Sequence, residues 1–527
     1  MGTSLGTPDG QVTQRTIDYY EARARGGAGA IIVEVTCVQT PLGRSTPSEL
    51  GIDQDSYIPG LRKLAQAIQR HGARALIQLH HAGIAAPTRF TGLQPVGPSA
   101  VTRPGGDLPR EMTGEEVREL VGCFAQGAAR AEKAGFDGVE IHGAHRYIFA
   151  QFLSRTWNRR QDEYGGDLEN RARFLLDTVR AIRQATGSGF ALWCRMNGIE
   201  EGIEKGDPDG LTSEEAKIVA RMLQDASVDV LNISANHPHY PSPRIPAFPR
   251  GWATGWAAGI KRVVKVPVAT VGRIDVPLAE KLLEEGKADL VVIGRGLIAD
   301  PDLPRKAAAG RLEDIIPCLS CNWCEYIHAV SGHVVECAIN ATAGREREYE
   351  LQPATRARRV LVVGGGPAGL EAARVAALRG HRVTLYEKGP QLGGQLLLAQ
   401  RPPHKEPIAD FLRYLCRQVE SLGVEVHLAS EADAATVEKL KPEAVVVATG
   451  VVPSNPNIPG LDKARVFRAE EVIEGAVEVG RRVVVIGGEM VGCETAELLA
   501  SQGKEVTVTR RGPQMALKLV PPPTRRN

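Results

Sequence analysis

The strongest constraint on the fold is a regular alternation of two kinds of segment between residues 29 and 300. Short runs rich in β-branched residues occur at 30–36, 73–79, 136–141, 190–195, 228–234, 266–271 and 289–294. Longer amphipathic stretches lie at 14–26, 57–72, 113–135, 168–186, 212–225 and 275–286. Apolar strands separated by helices indicate a parallel sheet that helices cover. So regular a repeat favours an α/β fold of the (β/α)8 TIM-barrel type over an open sheet.

Only seven strand-like runs can be counted, one fewer than such a barrel needs. The first residues, MGTSLGTPDGQ, are typical of the loop that follows a strand. We therefore expect the sequence to start at an internal methionine, so that the first strand of the barrel is missing.

Beyond the barrel, the chain shows a pattern typical of nucleotide-binding units. A strand runs into Gly364-x-Gly366-x-x-Gly369, and Glu387 ends the next strand about twenty residues on. The glycines permit a tight turn and a close approach to a pyrophosphate, and the carboxylate can accept hydrogen bonds from a ribose. A bound dinucleotide is therefore predicted. The run VVVATG, which ends at Gly450, resembles a strand end beside a flavin nucleotide.

A second strand that runs into a glycine turn contains Gly487 and Gly492, but its pattern is less regular. Glu489 replaces the middle glycine and puts a bulky anion where a pyrophosphate approaches. Arg510 and Arg511 follow the next strand, where an acidic residue is expected. The two arginines favour a 2′-phosphate, but a truncated end of the chain explains both departures as well. Nicotinamide binding at this unit is left open.

Four of the nine cysteines are bunched between the barrel and the first nucleotide unit, as Cys318-x2-Cys321-x2-Cys324-x12-Cys337. Three closely spaced thiolates and a fourth further on resemble an iron–sulfur ligand set. Structural zinc usually takes two separated pairs of ligands. The spacing therefore favours iron–sulfur, with zinc or buried thiols as alternatives. A cluster between two flavins indicates an internal path for electrons.

The third strand-like run ends in a group of residues suited to catalysis, His142, His145 and Tyr147. Two imidazoles three residues apart can donate to one oxygen and polarise a carbonyl that is conjugated to a double bond. The tyrosine can then donate a proton to the carbon opposite an incoming hydride. Barrel enzymes keep their chemistry at this rim. The alternatives are a zinc pair, to which His80 and His81 could add ligands, or ordinary surface histidines.

Composition excludes several classes of protein. A net charge of +2 gives no reason to expect a nucleic acid or an anionic membrane as partner. No apolar run is as long as a membrane span, and the first residues lack the layout of a signal peptide. An odd number of cysteines, four of them bunched, fits a reducing cytoplasm. The sequence does not choose between a monomer and a homo-oligomer.

Two further runs indicate a known family. NRRQDEYGG at 158–166 and ENRARF at 169–174 resemble the signature of old yellow enzyme-type barrels. The order of barrel, four cysteines and split nucleotide domain is similar to the NADH:flavin oxidoreductase family that includes 2,4-dienoyl-CoA reductase, clostridial 2-enoate reductase, bile-acid-dehydroxylating flavin oxidoreductases and trimethylamine dehydrogenase. The resemblance covers essentially the whole chain.

The resemblance implies FMN in the barrel, a [4Fe–4S] cluster on the four bunched cysteines, and FAD on the second domain. It implies that Gln78 and Arg195 contact the isoalloxazine ring. The FMN phosphate is then expected at the two last strands, on Gly272, Arg273, Gly294 and Arg295. Hydride would pass from NAD(P)H to FAD, electrons would move singly through the cluster, and FMN would reduce an alkene in a small unsaturated carbonyl substrate.

The resemblance also implies a domain order. We expect the FMN barrel at 1–310, the cluster segment at 311–355, the FAD domain at 356–476 and an incomplete NAD(P) subdomain at 477–527. The cysteine spacing and the run NATAG at 340–344 are most like amine dehydrogenases, which carry a tyrosine in place of His142. Because the rim chemistry determines the substrate more directly, alkene reduction is favoured. An amine dehydrogenase and an inactive fragment or electron-transfer module are the alternatives.

Overall fold

The structure is a computed structural model that describes residues 1–200, 210–236, 248–329, 333–453, 457–461, 465–512 and 515. The chain divides into two units. The first contains Met1–Leu312 and Asn322–Glu348, and the second contains Glu313–Cys321 and Tyr349–Asn527. The domain boundaries expected at 310, 355 and 476 stay predictions, and part of the expected last subdomain lies outside the described residues.

A parallel sheet forms the centre of the first unit. Its strands follow the order β10-β9-β8-β7-β6-β3-β1-β2, while β4 and β5 pair separately. The strands of this unit are β1 (Ala30–Cys37), β2 (Leu50–Gly51), β3 (Arg74–His80), β4 (Val96–Gly97), β5 (Arg110–Glu111), β6 (Gly138–Gly143), β7 (Ala191–Glu200), β8 (Val230–Asn236), β9 (Val268–Thr270) and β10 (Leu290–Val291). Apart from the two-residue β2, strands that follow each other in the chain are neighbours in the sheet. The predicted TIM-barrel type of fold is confirmed.

All seven strand-like runs of the sequence are strands of this sheet. The two-residue strand β2 was not predicted and pairs with the end of β1, where Leu50 lies beside Thr36. Within the described residues, no ladder joins β10 to β1.

Helices follow most of the strands and cover the sheet. They are α1 (Gln14–Arg25), α2 (Ile58–Gln69), α3 (Thr88–Thr91), α4 (Gly114–Ala134), α5 (Ile148–Leu153), α6 (Leu168–Thr186), α7 (Ser213–Asp225), α8 (Thr254–Lys261), α9 (Val276–Glu284), α10 (Arg295–Ala299), α11 (Leu303–Ala308) and α12 (Trp323–Ala329). Caps fix their ends. Thr113 forms a capping box with Glu116 at the start of α4, and Gly135 ends that helix in the left-handed region, with φ +89°. The hydrophobic core lies between these helices and the outer face of the sheet.

The segment after the fourth bunched cysteine packs against the barrel. Arg23 on α1 forms an almost fully buried ion pair with Glu346, with 2.7 Å between Nη1 and Oε1. The side-chain amide of Asn340 donates to the carbonyl of Ile298 over 2.8 Å. Such buried polar contacts hold a segment in one position, because leaving either partner unpaired is costly.

The second unit is built from parallel strands and helices. Its strands are β11 (Arg359–Val363), β12 (Arg382–Tyr386), β13 (Glu425–His427), β14 (Ala444–Val447), β15 (Arg482–Ile486) and β16 (Glu505–Thr509). Its helices are α13 (Pro367–Leu378), α14 (Leu396–Ala399), α15 (Glu406–Ser421), α16 (Ala434–Leu440), α17 (Ala469–Glu474) and α18 (Met490–Ser501). Four strands pair in the order β13-β12-β11-β14, and β15 pairs with β16. None of the helices described in either unit combines the length and apolar character that crossing a bilayer requires.

Candidate active site and cofactor sites

The barrel interior is lined by polar side chains. In β6, Val139 and Ile141 belong to the hydrophobic core on the helix side, and the buried Glu140 and His142 alternate with them. Alternate residues of a strand face opposite sides of a sheet. The same alternation places further buried polar residues on the neighbouring strands: Gln78, His80, Asn197, Asn232, Ser234 and Thr270. Because buried polar groups require hydrogen-bond partners, this interior suits a polar ligand.

A hydrogen-bonded group crosses three of these strands. The carboxylate of Glu140 accepts from Nε2 of Gln78 over 2.5 Å and from Nδ2 of Asn232 over 2.7 Å. Oδ1 of Asn232, Oγ1 of Thr270 and Nδ1 of His142 are buried and have no hydrogen-bond partner among the described residues. An isoalloxazine ring offers both donors and acceptors along its edge, so these residues fit the FMN that the family resemblance implies.

Arg195 lies at the level of the catalytic candidates. On β7 it is in register with His142 of β6 and with Asn232 of β8. Burial is the largest cause that holds the pKa of His142 well below its ordinary value, followed by the charges of His80 and Arg195. His142 is therefore a neutral imidazole at neutral pH. A guanidinium at this level can stabilise a reduced, anionic flavin.

His142 and His145 contact each other, with 3.3 Å between Nε2 of His142 and Nδ1 of His145. The backbone of His145 has a φ of +61°, in the left-handed region. Asn197 fixes that backbone, because its Oδ1 accepts from the amide of His145 over 2.8 Å and its Nδ2 donates to the carbonyl over 3.1 Å. The second ring nitrogen of His145 lies 3.0 Å from the hydroxyl of Ser234. The pair is thus held at the carboxyl ends of three adjacent strands.

Tyr147 packs edge-on against two of the histidines. Its ring centroid lies 4.7 Å from that of His142 and 4.3 Å from that of His80. The residue stands immediately before α5, so the start of that helix fixes its backbone. The structure therefore brings together the three residues that the sequence singled out, and it adds His80 to them.

The buried carboxyl group of Glu49 lies close to His80, with 3.7 Å between its Oε1 and Nε2 of the imidazole. Burial raises the pKa of Glu49 to about 8, although Ser45 donates to its other oxygen through both its amide and its hydroxyl. Burial holds the pKa of His80 well below its ordinary value. Sequence reasoning missed Glu49, Asn197 and Ser234. For Asn197 and Ser234 a signal was available, namely polar residues at alternate positions of otherwise apolar strands.

The residues expected at the FMN phosphate follow the two last strands of the barrel. Gly272 has a φ of +122°, and a Cβ there would lie 3.2 Å from the backbone nitrogen of Ala253. Arg273 follows in the left-handed region, with φ +54°, and donates to a backbone carbonyl. Gly294 and Arg295 begin α10 after the neighbouring strand β10. A Cβ on Gly294 would lie 3.0 Å from Sδ of Met1. The contact of these four residues with a phosphate stays a prediction.

Among the residues that the structure describes, none of the four bunched cysteines forms a disulfide. Cys318 and Cys321 belong to the second unit, and Cys324 and Cys337 to the first. Within the described parts of the chain, no three His, Cys, Asp or Glu side chains are gathered as around a metal ion. The backbone amide of Ser320 donates to Sγ of Cys318 over 3.4 Å, a contact that suits a thiolate. The ligand set itself stays a prediction.

The first nucleotide unit has the geometry that its glycines predict. Gly364 has a φ of +109°, and a Cβ on Gly369 would lie 1.8 Å from the carbonyl oxygen of Gly364. Around Gly366 the nearest atom to such a Cβ is 3.9 Å away, which leaves room for a pyrophosphate. The carboxylate of Glu387 accepts from the amide of Gly365 over 2.7 Å. These residues fit the dinucleotide FAD, and Gly450, with φ +77°, follows the adjacent strand β14.

The second nucleotide unit repeats this backbone with different side chains. Gly487 has a φ of +123°, and a Cβ on Gly492 would lie 1.7 Å from the carbonyl oxygen of Gly487. Glu489 stands at the start of α18 and forms an ion pair with Arg510, with 3.1 Å between Oε1 and Nη1. The turn is therefore intact, and the departures seen in the sequence are confined to side chains.

Comparison with known proteins agrees with this arrangement. Residues 1–314 match the NADH:flavin oxidoreductase / NADH oxidase family, and residues 358–526 match the pyridine nucleotide-disulphide oxidoreductase family. The NADH oxidase of Thermoanaerobacter brockii is 44% identical over 99% of this chain and 81% of its own length. The cinnamate reductase of Clostridium sporogenes is 36% identical over 95% of this chain and 78% of its own.

A solved structure extends the likeness to three dimensions. The 2-naphthoyl-CoA reductase in complex with 2-naphthoyl-CoA is 34% identical, with a TM-score of 0.95, and covers 98% of this chain and 81% of the other. The matches confirm an FMN barrel followed by a domain for FAD and NAD(P)H, and a [4Fe–4S] cluster is expected in this family. The chain is an oxidoreductase and belongs to the NADH:flavin oxidoreductase / NADH oxidase family.

Proposed function

We propose that this protein reduces the C=C bond of an α,β-unsaturated carbonyl compound, of the enoate or dienoyl-thioester type, with NAD(P)H as the electron donor. FMN bound in the barrel would supply the hydride, and FAD and the cluster would carry electrons to it. The observation that carries the proposal is the partly buried contact of His142 with His145 beside Tyr147, at the carboxyl ends of the barrel strands.

His142 and His145 would bind the carbonyl oxygen of the substrate. A neutral imidazole donates one hydrogen bond and does not protonate its partner, which suits polarisation of a carbonyl. At present one nitrogen of each ring is engaged in the 3.3 Å contact between the rings. Both rings can donate to one oxygen only after that contact opens. Asn197 limits how far His145 can move, because it holds the backbone on both sides of the residue.

Tyr147 would deliver the proton to the α-carbon, on the face opposite the hydride. A phenol is a weak acid in the ground state and becomes effective as negative charge develops on the polarised substrate. Its position is fixed by the edge-on contacts with His142 and His80. The reaction then consumes one hydride and one proton and yields the saturated carbonyl compound.

The remaining site residues are proposed in binding roles. Gln78 and Arg195 would contact the flavin ring of FMN, and the four thiolates at 318, 321, 324 and 337 would hold the cluster. The FMN phosphate would be bound by Gly272, Arg273, Gly294 and Arg295. The dinucleotides would be bound by Gly364, Gly366, Gly369, Glu387 and Gly450 in the first unit and by Gly487 and Gly492 in the second. Two of the similar proteins are named as reductases of cinnamate and of 2-naphthoyl-CoA, which supports an unsaturated acyl substrate.

An anaerobic assay tests the proposal against amine oxidation. The purified protein is mixed either with NADH and an enone such as cyclohexenone, or with trimethylamine and a dye acceptor. We expect loss of the enone and formation of the saturated ketone, measured by gas chromatography, with no dye reduction by the amine. Amine-dependent dye reduction without enone turnover would overturn the proposal in favour of an amine dehydrogenase. A visible spectrum without flavin bands would instead identify an inactive fragment.

A further inference from the structure

The two nucleotide units can be compared position by position, because their strands pair in the same register. Val363 pairs with Tyr386 at the end of the first unit's strands, and Ile486 pairs with Thr509 at the end of the second's. The residue after each second strand is therefore equivalent in the two units. It is Glu387 in the first unit. In the second unit, that position is occupied by an arginine, Arg510.

The glycine turn shows the complementary change. Gly366 and Glu489 both stand directly before the helix and share an extended backbone, with φ −74° and −99°. A side chain at this position therefore causes no backbone strain. In the first unit, Glu387 accepts from the turn amide of Gly365. In the second unit, the carboxylate of Glu489 is on the turn, where the first unit has a glycine, and a cation is at the strand end.

Glu489 and Arg510 form an ion pair. Oε1 of Glu489 lies 3.1 Å from Nη1 of Arg510, and the side chains are 37% and 19% exposed. The contact spans the place where, in a dinucleotide-binding unit, the ribose lies beside the turn. A guanidinium cannot accept hydrogen bonds from ribose hydroxyls, whereas it matches a phosphate with two parallel N–H donors. Arg511 adds a second positive charge next to it.

We propose that the second unit binds dinucleotides that carry a 2′-phosphate, so that the protein uses NADPH in preference to NADH, and that Arg510 is the residue that determines this choice. The inference rests on the proposed function only in taking a nicotinamide dinucleotide as the electron donor. Glu489 has a different effect. Its carboxylate repels the pyrophosphate, which both dinucleotides contain, and so it weakens the binding of both. Because it also pairs with the guanidinium of Arg510, it reduces the preference for a 2′-phosphate that Arg510 creates.

Calorimetric titration of the oxidised holoprotein with NADP⁺ and with NAD⁺ tests the inference without any turnover. We expect wild type to bind NADP⁺ about 10- to 100-fold more tightly, as a charge-assisted pair with a phosphate implies. Arg510→Glu should reverse the ratio. Glu489→Gly should tighten the binding of both nucleotides, and that of NADP⁺ more, because it also releases Arg510 from the ion pair. Arg481→Glu is the matched control, since Arg481 is 82% exposed, pairs with Glu505 at the opposite ends of the same strands, and should leave the ratio unchanged.

Three results would overturn the inference: NAD⁺ binding at least as tightly as NADP⁺, an unchanged ratio in Arg510→Glu, or no binding of either nucleotide. Because no alkene is present, these results are independent of the proposed reaction. An intact preference for NADP⁺ together with a failed enone assay would refute only the proposed function. Enone reduction supported equally by NADH and NADPH would refute this inference and leave the proposed function intact.

Discussion

Glu49 makes the stability of the barrel depend on pH in a direction that an ordinary carboxylate would not. The side chain is 1% exposed, and within the described part of the chain its Oε1 has no hydrogen-bond partner. Burial raises the pKa to about 8 from the ordinary 4.5, despite the two opposing hydrogen bonds from Ser45. Near neutral pH the carboxyl is therefore protonated in the folded protein and ionised in the unfolded chain.

The sign follows from proton linkage. Between pH 4.5 and 8 the folded state holds a proton that the unfolded state releases, so the free energy of unfolding falls as the pH rises. The slope approaches about 1.4 kcal/mol per pH unit, and the loss between pH 6 and 8.5 is about 2.5 kcal/mol. Glu34, whose pKa burial raises to about 7, acts in the same direction. Three histidines have the opposite effect, namely His80, His81 and His142. Because burial lowers their pKa values, the stability that they contribute to the folded state is lost as the pH falls below 6.5.

Glu49→Gln isolates the carboxyl, since the other groups contribute equally to wild type and variant. All five tryptophans lie in the first unit, so their fluorescence during urea denaturation reports the unfolding of the barrel. We expect the free energy of unfolding of wild type, relative to the variant, to fall by about 2.5 kcal/mol from pH 6 to 8.5. Glu116→Gln is the control. The hydrogen bond from Arg110 is the main cause that lowers the pKa of Glu116 to about 2. The plot of unfolding free energy against pH for Glu116→Gln should therefore run parallel to that of wild type. Parallel curves for wild type and Glu49→Gln would refute the reasoning.

Three further changes test the proposed site. Tyr147→Phe removes the proposed proton donor and should slow reoxidation of the reduced flavin by an enone about 10²- to 10⁴-fold. Reduction of the flavin by the nucleotide, measured by stopped flow, should keep the wild-type rate. Equal slowing of both steps would contradict the proposed role. Asn197→Ala removes both hydrogen bonds to the backbone of His145. It should lower the free energy of unfolding by about 2 kcal/mol and reduce kcat/KM about tenfold or more. Ser213→Ala, on the nearby helix α7, is the control and should change neither quantity. Cys337→Ser should lower bound iron, measured by metal analysis, well below the wild-type content of about four atoms per chain, whereas Cys123→Ser, on α4, should not.

Much of the fold could be predicted because its signals are local. The helix expected at 168–186 forms as α6 over the same residues. Asp167 caps its start by accepting from the amide of Asn170 over 2.8 Å, and Gly187 ends it with φ +73°. Both residues are visible in the sequence as a cap and a stop. The strands were found for the same reason, since a run of β-branched residues between two amphipathic stretches has few other conformations to adopt.

The polar environment of the catalytic candidates was less predictable, because it depends on contacts between residues far apart in the chain. Glu49 approaches His80 because β1 pairs with β2 on one side and with β3 on the other, which sets Cys37 beside both Gly51 and His80. No local pattern encodes that register. The ion pair of Glu489 with Arg510 is similar, since the sequence showed two separate departures and only the pairing of β15 with β16 brings them together.

Burial of the histidines gives a physical reason why we assign carbonyl binding to them and proton donation to Tyr147. An imidazole whose pKa lies far below neutrality, as that of His142 does, carries no proton to give to carbon but keeps one N–H to donate. Polarisation of the carbonyl and protonation of the α-carbon therefore require different residues, and Tyr147 is the acidic side chain in contact with the pair. If His142 were instead the acid, its replacement by glutamine, which keeps a donor and loses the acid, would abolish alkene reduction. On the proposed mechanism, His142→Gln retains a measurable part of the activity, and Tyr147→Phe loses far more.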